Sequence, residues 1–361
     1  MSDDKQKPKE IGLIELLKNP ELREQIQPSP IGEFLNRPKT RAWIEKNYSS
    51  RIYPTLAKCT QAISDNVPIS MSHVDLGLMV AMIVLKKKGF AKLYTGYKIA
   101  TKIRNLAGRT YLANRHRKPI EDKLELELKP LNRARLLGDV DTCVGWINEA
   151  YSQLPDSIDK RSVLSDCRDA ALEYVFVVEG ITPALPKRIK TDLKVELLKH
   201  IGVGGMFSPV WNEVYMPRGE FTFFTPFAYT HELMHAAGYG KESEAQIGAY
   251  LATSTAENSM LRYSAHASRL AYTIKMLQEA PSVDRETRES AAKDLIEKLE
   301  IPTETKEQIL LKYKGKKWAK KAGDVFSGLM DISFRQLGIK DGVNDYTHKF
   351  IRLVHAMEDK E

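Results

Sequence analysis

Two histidines four residues apart, His231 and His235, bracket a glutamate, Glu232, in the stretch "TPFAYTHELMHAAGYGKESEAQIGAYLA" (225–252). On a helix, one turn separates the two imidazoles, so both project from one face and can bind one metal ion. Glu232 is turned about 100° from His231, beside such a metal rather than on it. From there it can take a proton from an activated water and pass it to a leaving amine. This is the His-Glu-x-x-His pattern of Zn2+ peptidases. A third ligand has to come from farther along, where Glu242 and Glu244 follow two residues apart.

The flanking residues say how such a site is assembled. Thr225 reads as a helix N-cap, Pro226 as the first helical residue and Gly238 as the stop, giving a helix over 226–237. Gly238, Tyr239 and Gly240 allow a sharp turn, so a second helix can start near Lys241 and fold back beside the first. On it Glu242 and Glu244 point about 200° apart, and only one can face the metal. Its apolar side runs through Ala245, Ala249 and Ala252, flanked by Ile247 and Leu251. Glu242 is the preferred ligand, since a ligand glutamate followed four residues later by a polar residue, here Gln246, is a zinc-peptidase pattern. Glu244 is the alternative ligand, or an acid that orients the other nitrogen of a histidine.

Further residues have two readings each. Tyr239 and Tyr263 can donate to a tetrahedral oxyanion or serve as core or rim tyrosines. Arg262 can dock a substrate carboxylate or brace Glu213. His266 is expected to be structural rather than a ligand. A strand around Asn212 to Met216 can pair with an extended substrate backbone.

These residues need a frame. The segment "LKHIGVGGMFSPVWNEVYMPRGEFTFFTP" (198–226) is rich in Gly, Pro, aromatic and β-branched residues and is the one convincing β region. Elsewhere apolar residues recur at helical spacing, as at Ile99, Ile103 and Leu106, or Val144, Ile147 and Tyr151. Breaks are expected at "GITPALPKRIK" (180–190), at Pro281, near Pro302 and at "GIKDG" (338–342). The chain reads as a polar leader (1–40), a helical N-terminal region (41–178) and a catalytic region (179–361). The expected class is α+β: a mostly helical, zincin-like fold with a small β-sheet next to the active-site helix.

Composition narrows the setting. Three cysteines, Cys59, Cys143 and Cys167, are too few and too scattered for a disulfide framework or a Cys-based zinc site. The N-terminus has no apolar signal core. The most apolar run, "LGLMVAMIVL" (76–85), is stopped by three lysines and is shorter than the roughly 17–25 residues of a spanning helix. A soluble, cytoplasmic protein is expected. From Lys86 to Arg135 there are fifteen Lys and Arg against four Asp and Glu, an excess larger than the +8 of the whole chain. Such a stretch is ordinarily a solvated helix face. It could also touch an anionic membrane surface peripherally, whereas no signature of a nucleic-acid-binding fold accompanies it.

The stretch from about Leu198 to Leu277 resembles an uncharacterised bacterial family of zinc-peptidase-like, usually membrane-anchored proteins, known only as a domain of unknown function. The pieces that carry the likeness are "GVGGMFSPVWNEVYMP", "TPFAYTHELMHAAGYGKESEAQIGAYLA" and "LRYSAHASRLAYTIKML". "LGIKDGVNDYTHKFIRLVHA" is similar to the family's closing segment, and "KNYSSRIYPTLAKCTQAISDNVPISMSHVDLGLMV" to the part that leads into a membrane helix in relatives. The likeness extends over about 45–361. Where relatives carry membrane helices, this chain has a polar leader and ten strongly apolar residues. The expectation is a Zn2+-dependent peptidase acting on a peptide or protein, with His231, His235 and one acid as ligands and Glu232 as base. The rivals are a non-catalytic metal-binding regulatory protein, against which the intact Glu232 argues, and a basic-surface lipid or nucleic-acid binder.

Overall fold

A computed structural model describes residues 119–360 apart from 202, 210, 220, 279–284 and most of 312–345, and upstream only residues 33, 37–43, 58, 61 and 65–66. The apolar run 76–85, nearly all of the polar leader, the basic stretch up to residue 118, Cys59 and the breaks at Pro281 and "GIKDG" lie outside the described residues. Among those described, no helix is long and apolar enough to cross a membrane.

Two long helices open the described part. Helix α1 (Arg133–Ser152) starts where the Asn132 side chain accepts from the Ala134 N–H at 2.8 Å. It buries Leu136, Val140, Cys143, Ile147 and Ala150, one stripe at helical spacing. Helix α2 (Lys160–Glu179) is capped by Asp159 and ends on Gly180 at φ 66°. It buries Val163, Cys167, Ala171, Tyr174 and Val175. Burial pushes the thiols of Cys143 and Cys167 up, the latter to about 12, so both stay as inert core thiols.

A three-stranded sheet follows, formed by β1 (Ile189–Lys190), β2 (Met206–Ser208) and β3 (Glu213–Tyr215), with a short helix α3 (Leu193–Leu198) between β1 and β2. The order is β1-β3-β2: β1 pairs parallel with β3, placing Ile189 opposite Val214, and β2 pairs antiparallel, placing Phe207 opposite Val214. Val214 enters the hydrophobic core. Its neighbours Glu213 and Tyr215 point to the opposite face, as the two-residue period requires. There Lys190 Nζ donates to Glu213 at 2.6 Å and the Tyr215 hydroxyl donates to it at 2.5 Å, all three side chains being buried.

Helices α4 (Thr225–Ala237), α5 (Glu242–Ser254) and α6 (Ser259–Gln278) carry the rest of the core. Beyond them come α7 (Arg285–Lys298), α8 (Thr303–Leu311) and α9 (Tyr346–Glu358). α6 is buried almost along its whole length, lying against α1 on one side and against α4 and α5 on the other. α4 also contacts α2, β2 and β3, while α9 packs on α5 and α6. One core cluster contains residues of α1, α2, α4, α5, α6 and α9. Helices on both sides of residue 178 contribute to this cluster: α1 packs on α6, and α2 packs on α4 and α5. The described architecture is α+β, mostly helical with one small sheet.

Candidate metal centre

α4 is positioned at both ends. At its start the expected N-cap differs: Thr225 is the first helical residue, and its hydroxyl accepts from the Thr222 N–H at 2.9 Å, tying the preceding turn. The Phe227 N–H, one of the donors a helix start leaves without an intrahelical partner, instead reaches Ser264 Oγ on α6 at 2.9 Å. At its end Gly238 adopts φ 108°, and the Gly238 and Tyr239 N–H groups return to the carbonyls of His235 and Met234 at 3.0 Å each. This is a Schellman stop, which needs glycine at the left-handed position. It reverses the chain within four residues, and α5 begins at Glu242.

α5 folds back closely on α4. A Cβ on Gly248 would lie 3.1 Å from both Met234 Sδ and Tyr174 Cε1, so the small residue permits the approach. Glu242, the first residue of α5, then faces the imidazoles. Its Oε2 lies 2.9 Å from His231 Nε2 and 3.2 Å from His235 Nε2. The two rings are nearly perpendicular, at 87°, with centroids 4.7 Å apart. One ligand atom from each of the three residues falls within 4.8 Å of the others.

The donor chemistry fits a divalent ion. His235 Nδ1 lies 2.7 Å from the Tyr239 carbonyl, so that nitrogen carries a proton and Nε2 is the one turned to the shared position. Two imidazole nitrogens and a carboxylate oxygen form a set that suits Zn2+ and leaves a further coordination position. The local charges agree. Burial alone would lower the His235 pKa, but the Glu242 carboxylate outweighs it and raises the pKa to about 9. Burial alone would raise that of Glu242, but His235 and His231 hold it far below the carboxylate range. The position between them thus favours positive charge, a proton or a cation.

Glu232 projects beside this position and is buried. Burial raises its pKa, partly offset by the two imidazoles and by the nearby backbone N–H of Phe207. Strand β2 comes this close because residue 205 has no side chain: a Cβ there would meet Glu232 Cγ at 3.0 Å and Oε1 at 3.1 Å. The Glu232 carboxylate is therefore held between its own helix and the backbone of an edge strand.

The other sequence-derived residues lie elsewhere. Glu244 is buried on a different side of α5, and neither of its oxygens has a hydrogen-bond partner among the described residues. It does not join the two histidines, and it does not orient His235, whose Nδ1 is taken by the Tyr239 carbonyl. Tyr239 contributes that carbonyl, but its hydroxyl donates to Glu179 at 3.3 Å, away from the centre. The Tyr263 hydroxyl pairs with Thr305 Oγ1 in the core. Arg262 bonds the carbonyls of Ala256 and Glu257 and the side chain of Gln153, so it does not brace Glu213; Lys190 does. His266 lies over Trp146, ring centroids 4.8 Å apart, with its pKa lowered to about 4 by burial and by Arg269 and Arg262. The strand expected to pair with substrate, β3, is the central one with a neighbour on each side; among the described strands the edges are β1 and β2.

Two contacts appear only in the tertiary structure. Gln246, one turn after Glu242, donates from Nε2 to the Tyr272 hydroxyl oxygen on α6 at 3.0 Å. Second, Asp139, His355 and Glu358 also bring ligand-type atoms together. Here, however, the cation is already present. The buried Arg269 guanidinium bonds Asp139, reaches Glu358 at 2.6 Å and Tyr250 Oη at 2.9 Å, and lies over the Trp146 ring at 5.2 Å. That group ties α1, α5, α6 and α9 together and is no metal centre.

A family described as "Protein of unknown function (DUF3810)" matches residues 48–354, which include every residue of the centre. No curated protein and no solved structure matches the chain.

Proposed function

The chain belongs to the DUF3810 family, and for it we propose a Zn2+-dependent peptidase in which His231, His235 and Glu242 hold the metal and Glu232 is the general base. The observation that carries this reading is the placement of Glu232. A carboxylate with no ligand role, buried and raised in proton affinity, stands on the same helix as two convergent imidazoles. A purely structural metal site has no use for a base there.

Zn2+ in such a set supplies a Lewis acid that polarises a carbonyl and lowers the pKa of a water. The chain's own residues do the rest. The Tyr239 carbonyl fixes the tautomer and orientation of His235. Glu232 accepts a proton from the attacking water and returns it to the departing amine. Its raised pKa suits the first step. The edge strand β2, adjacent to the base, is the natural place for an extended peptide backbone, and an α4 helix packed against a small sheet is consistent with a zincin-like arrangement. A cytoplasmic, soluble location belongs to the same reading, with peripheral contact to anionic lipid through the basic 86–135 stretch.

The test is Glu232→Gln. The variant should keep its fold and its zinc but lose roughly 10²–10⁴-fold in peptide hydrolysis, the usual share of a general base. Hydrolysis at the wild-type rate in a variant that retains zinc would exclude this mechanism.

A further inference from the structure

The two histidines of the proposed centre are held unequally from outside it. His231 Nδ1 is buried and has no hydrogen-bond partner among the described residues, whereas His235 Nδ1 donates to the Tyr239 carbonyl at 2.7 Å. The ligand pair is therefore oriented from the His235 side, and whatever fixes Tyr239 fixes the ligand. We propose that Glu179, clamped by Lys123, is a positioning residue for His235 and acts through Tyr239. The inference rests on His235 being a metal ligand, as read above, and extends that site to the far side of the turn between α4 and α5.

Tyr239 is gripped at both ends. Its backbone N–H returns to the Met234 carbonyl at 3.0 Å, and its own carbonyl meets His235. Its side chain, 1% exposed, lies against the Tyr174 ring with centroids 6.1 Å apart, and its hydroxyl donates to Glu179 Oε1 at 3.3 Å. Tilting the Tyr239 peptide away from His235 would swing the Cα–Cβ bond, and in close-packed surroundings the phenol cannot follow without leaving its acceptor. Glu179 is in turn placed by α2, of which it is the last residue before the Gly180 stop. An anion at that end opposes the helix dipole, whose C-terminus is negative. Lys123 offsets this, because its Nζ lies 2.6 Å from the same Oε1 that accepts from Tyr239. Lys123 ends the short helix Ile120–Lys123, which is anchored by Ile120 in the core. Direct contacts thus run from Lys123 to Glu179, Tyr239 and His235, carrying the position of the segment before α1 and the end of α2 to the candidate centre.

Metal affinity and a proton-exchange rate test this on the full-length protein without turnover. Zn2+ affinity is read by chelator competition. With Co2+ in place of Zn2+, the ring N–H protons of ligand imidazoles are shifted out of the crowded part of the proton spectrum, and their exchange with water can be timed. Tyr239→Phe keeps the ring and the carbonyl and removes only the hydroxyl, while Glu179→Ala removes the acceptor. Each should weaken Zn2+ by about tenfold, the lower end of what such outer contacts contribute. Each should also speed exchange of the slower of the two ring N–H signals by about tenfold. The double variant should be no worse than either single one, since both break the same chain of contacts. Glu179→Gln, which keeps an acceptor oxygen, should recover most of the affinity. Tyr263→Phe, which removes a buried hydroxyl contact to Thr305 elsewhere in the core, should change neither quantity. Wild-type affinity and exchange in Tyr239→Phe, or losses that add in the double variant, would overturn the proposal. Failure of the reading beneath it looks different: His235→Ala would then leave Zn2+ affinity unchanged.

Discussion

His235 Nδ1 donates to the carbonyl oxygen of Tyr239, four residues on, at 2.7 Å. The turn that reverses the chain from α4 to α5 therefore also selects the tautomer of a candidate ligand. Such outer contacts change metal affinity by about 10–100-fold in other sites.

Gly238 makes this turn at φ 108°. Gly238→Ala should cost about 1 kcal/mol or more through backbone strain and weaken Zn2+ by about tenfold as the Tyr239 carbonyl shifts. Thermal unfolding and chelator competition measure the two effects separately. A lower Tm with unaltered zinc affinity would show that the carbonyl does not govern the ligand.

Gly205 keeps the space in which Glu232 sits, since a Cβ would come within 3.0 Å of its side chain. Gly205→Ala should leave the metal bound and cut hydrolysis by about 10²-fold, the scale of a misplacement of roughly 1 Å in a catalytic group. Metal content by atomic emission, alongside single-turnover rates, distinguishes displacement of the base from loss of the centre.

The two candidate acids should separate cleanly. Glu242→Ala removes the carboxylate shared by both imidazoles and should lower zinc affinity by at least about 10²-fold, whereas Glu244→Ala should change it little. Equal losses in the two variants would contradict the assignment.

Glu244 should instead reveal itself in stability. Burial raises its pKa from 4.5 to about 7, so the folded state holds a proton that the unfolded state releases. Its neutral form is accommodated below pH 4.5, and stability is lost as pH rises from about 4.5 through about 7. Glu244→Gln should thus be more stable than wild type at pH 8, by up to roughly 3 kcal/mol at 1.36 kcal/mol per pKa unit, and nearly equal to it at pH 4.5. Urea unfolding at the two pH values tests the sign.

Arg269 is the buried hub between four helices. Arg269→Met leaves the buried Asp139 without its cation, and should destabilise by about 3–5 kcal/mol, as breaking one side of a buried pair does. The double change Arg269→Met with Asp139→Leu should recover much of that loss. Failure to recover would mean that the other partners, Glu358 and Tyr250, carry the interaction.

How far the sequence could reach depends on whether the determining contacts are local. The spacing of His231, Glu232 and His235, the Pro226 start and the Gly238 stop all act within one helix, and the return of the chain at Lys241 follows from two nearby glycines. Phase on the second helix is likewise local, so the opposition of Glu242 and Glu244 was legible from their separation by two residues. Strands β2 and β3 were visible in the β-branched and aromatic run at 198–226, but β1 falls in the stretch expected as a break, and the place of β3 at the centre was not legible, because strand order depends on which distant segment pairs with it.

Only the tertiary structure decided what lies across from these elements. Gly205 is 27 positions before Glu232 in sequence, yet its missing side chain sets the space around that carboxylate. Tyr272 meets Gln246 because α6 crosses α5, and no periodicity within either helix records that crossing. The same holds for the Ser264 hydroxyl that satisfies α4's Phe227 N–H, and for the Arg269 guanidinium shared with α1 and α9. Helical phase tells which way a side chain points. What it meets there is set by the packing of other helices, whose crossing depends on the whole buried surface rather than on any one residue.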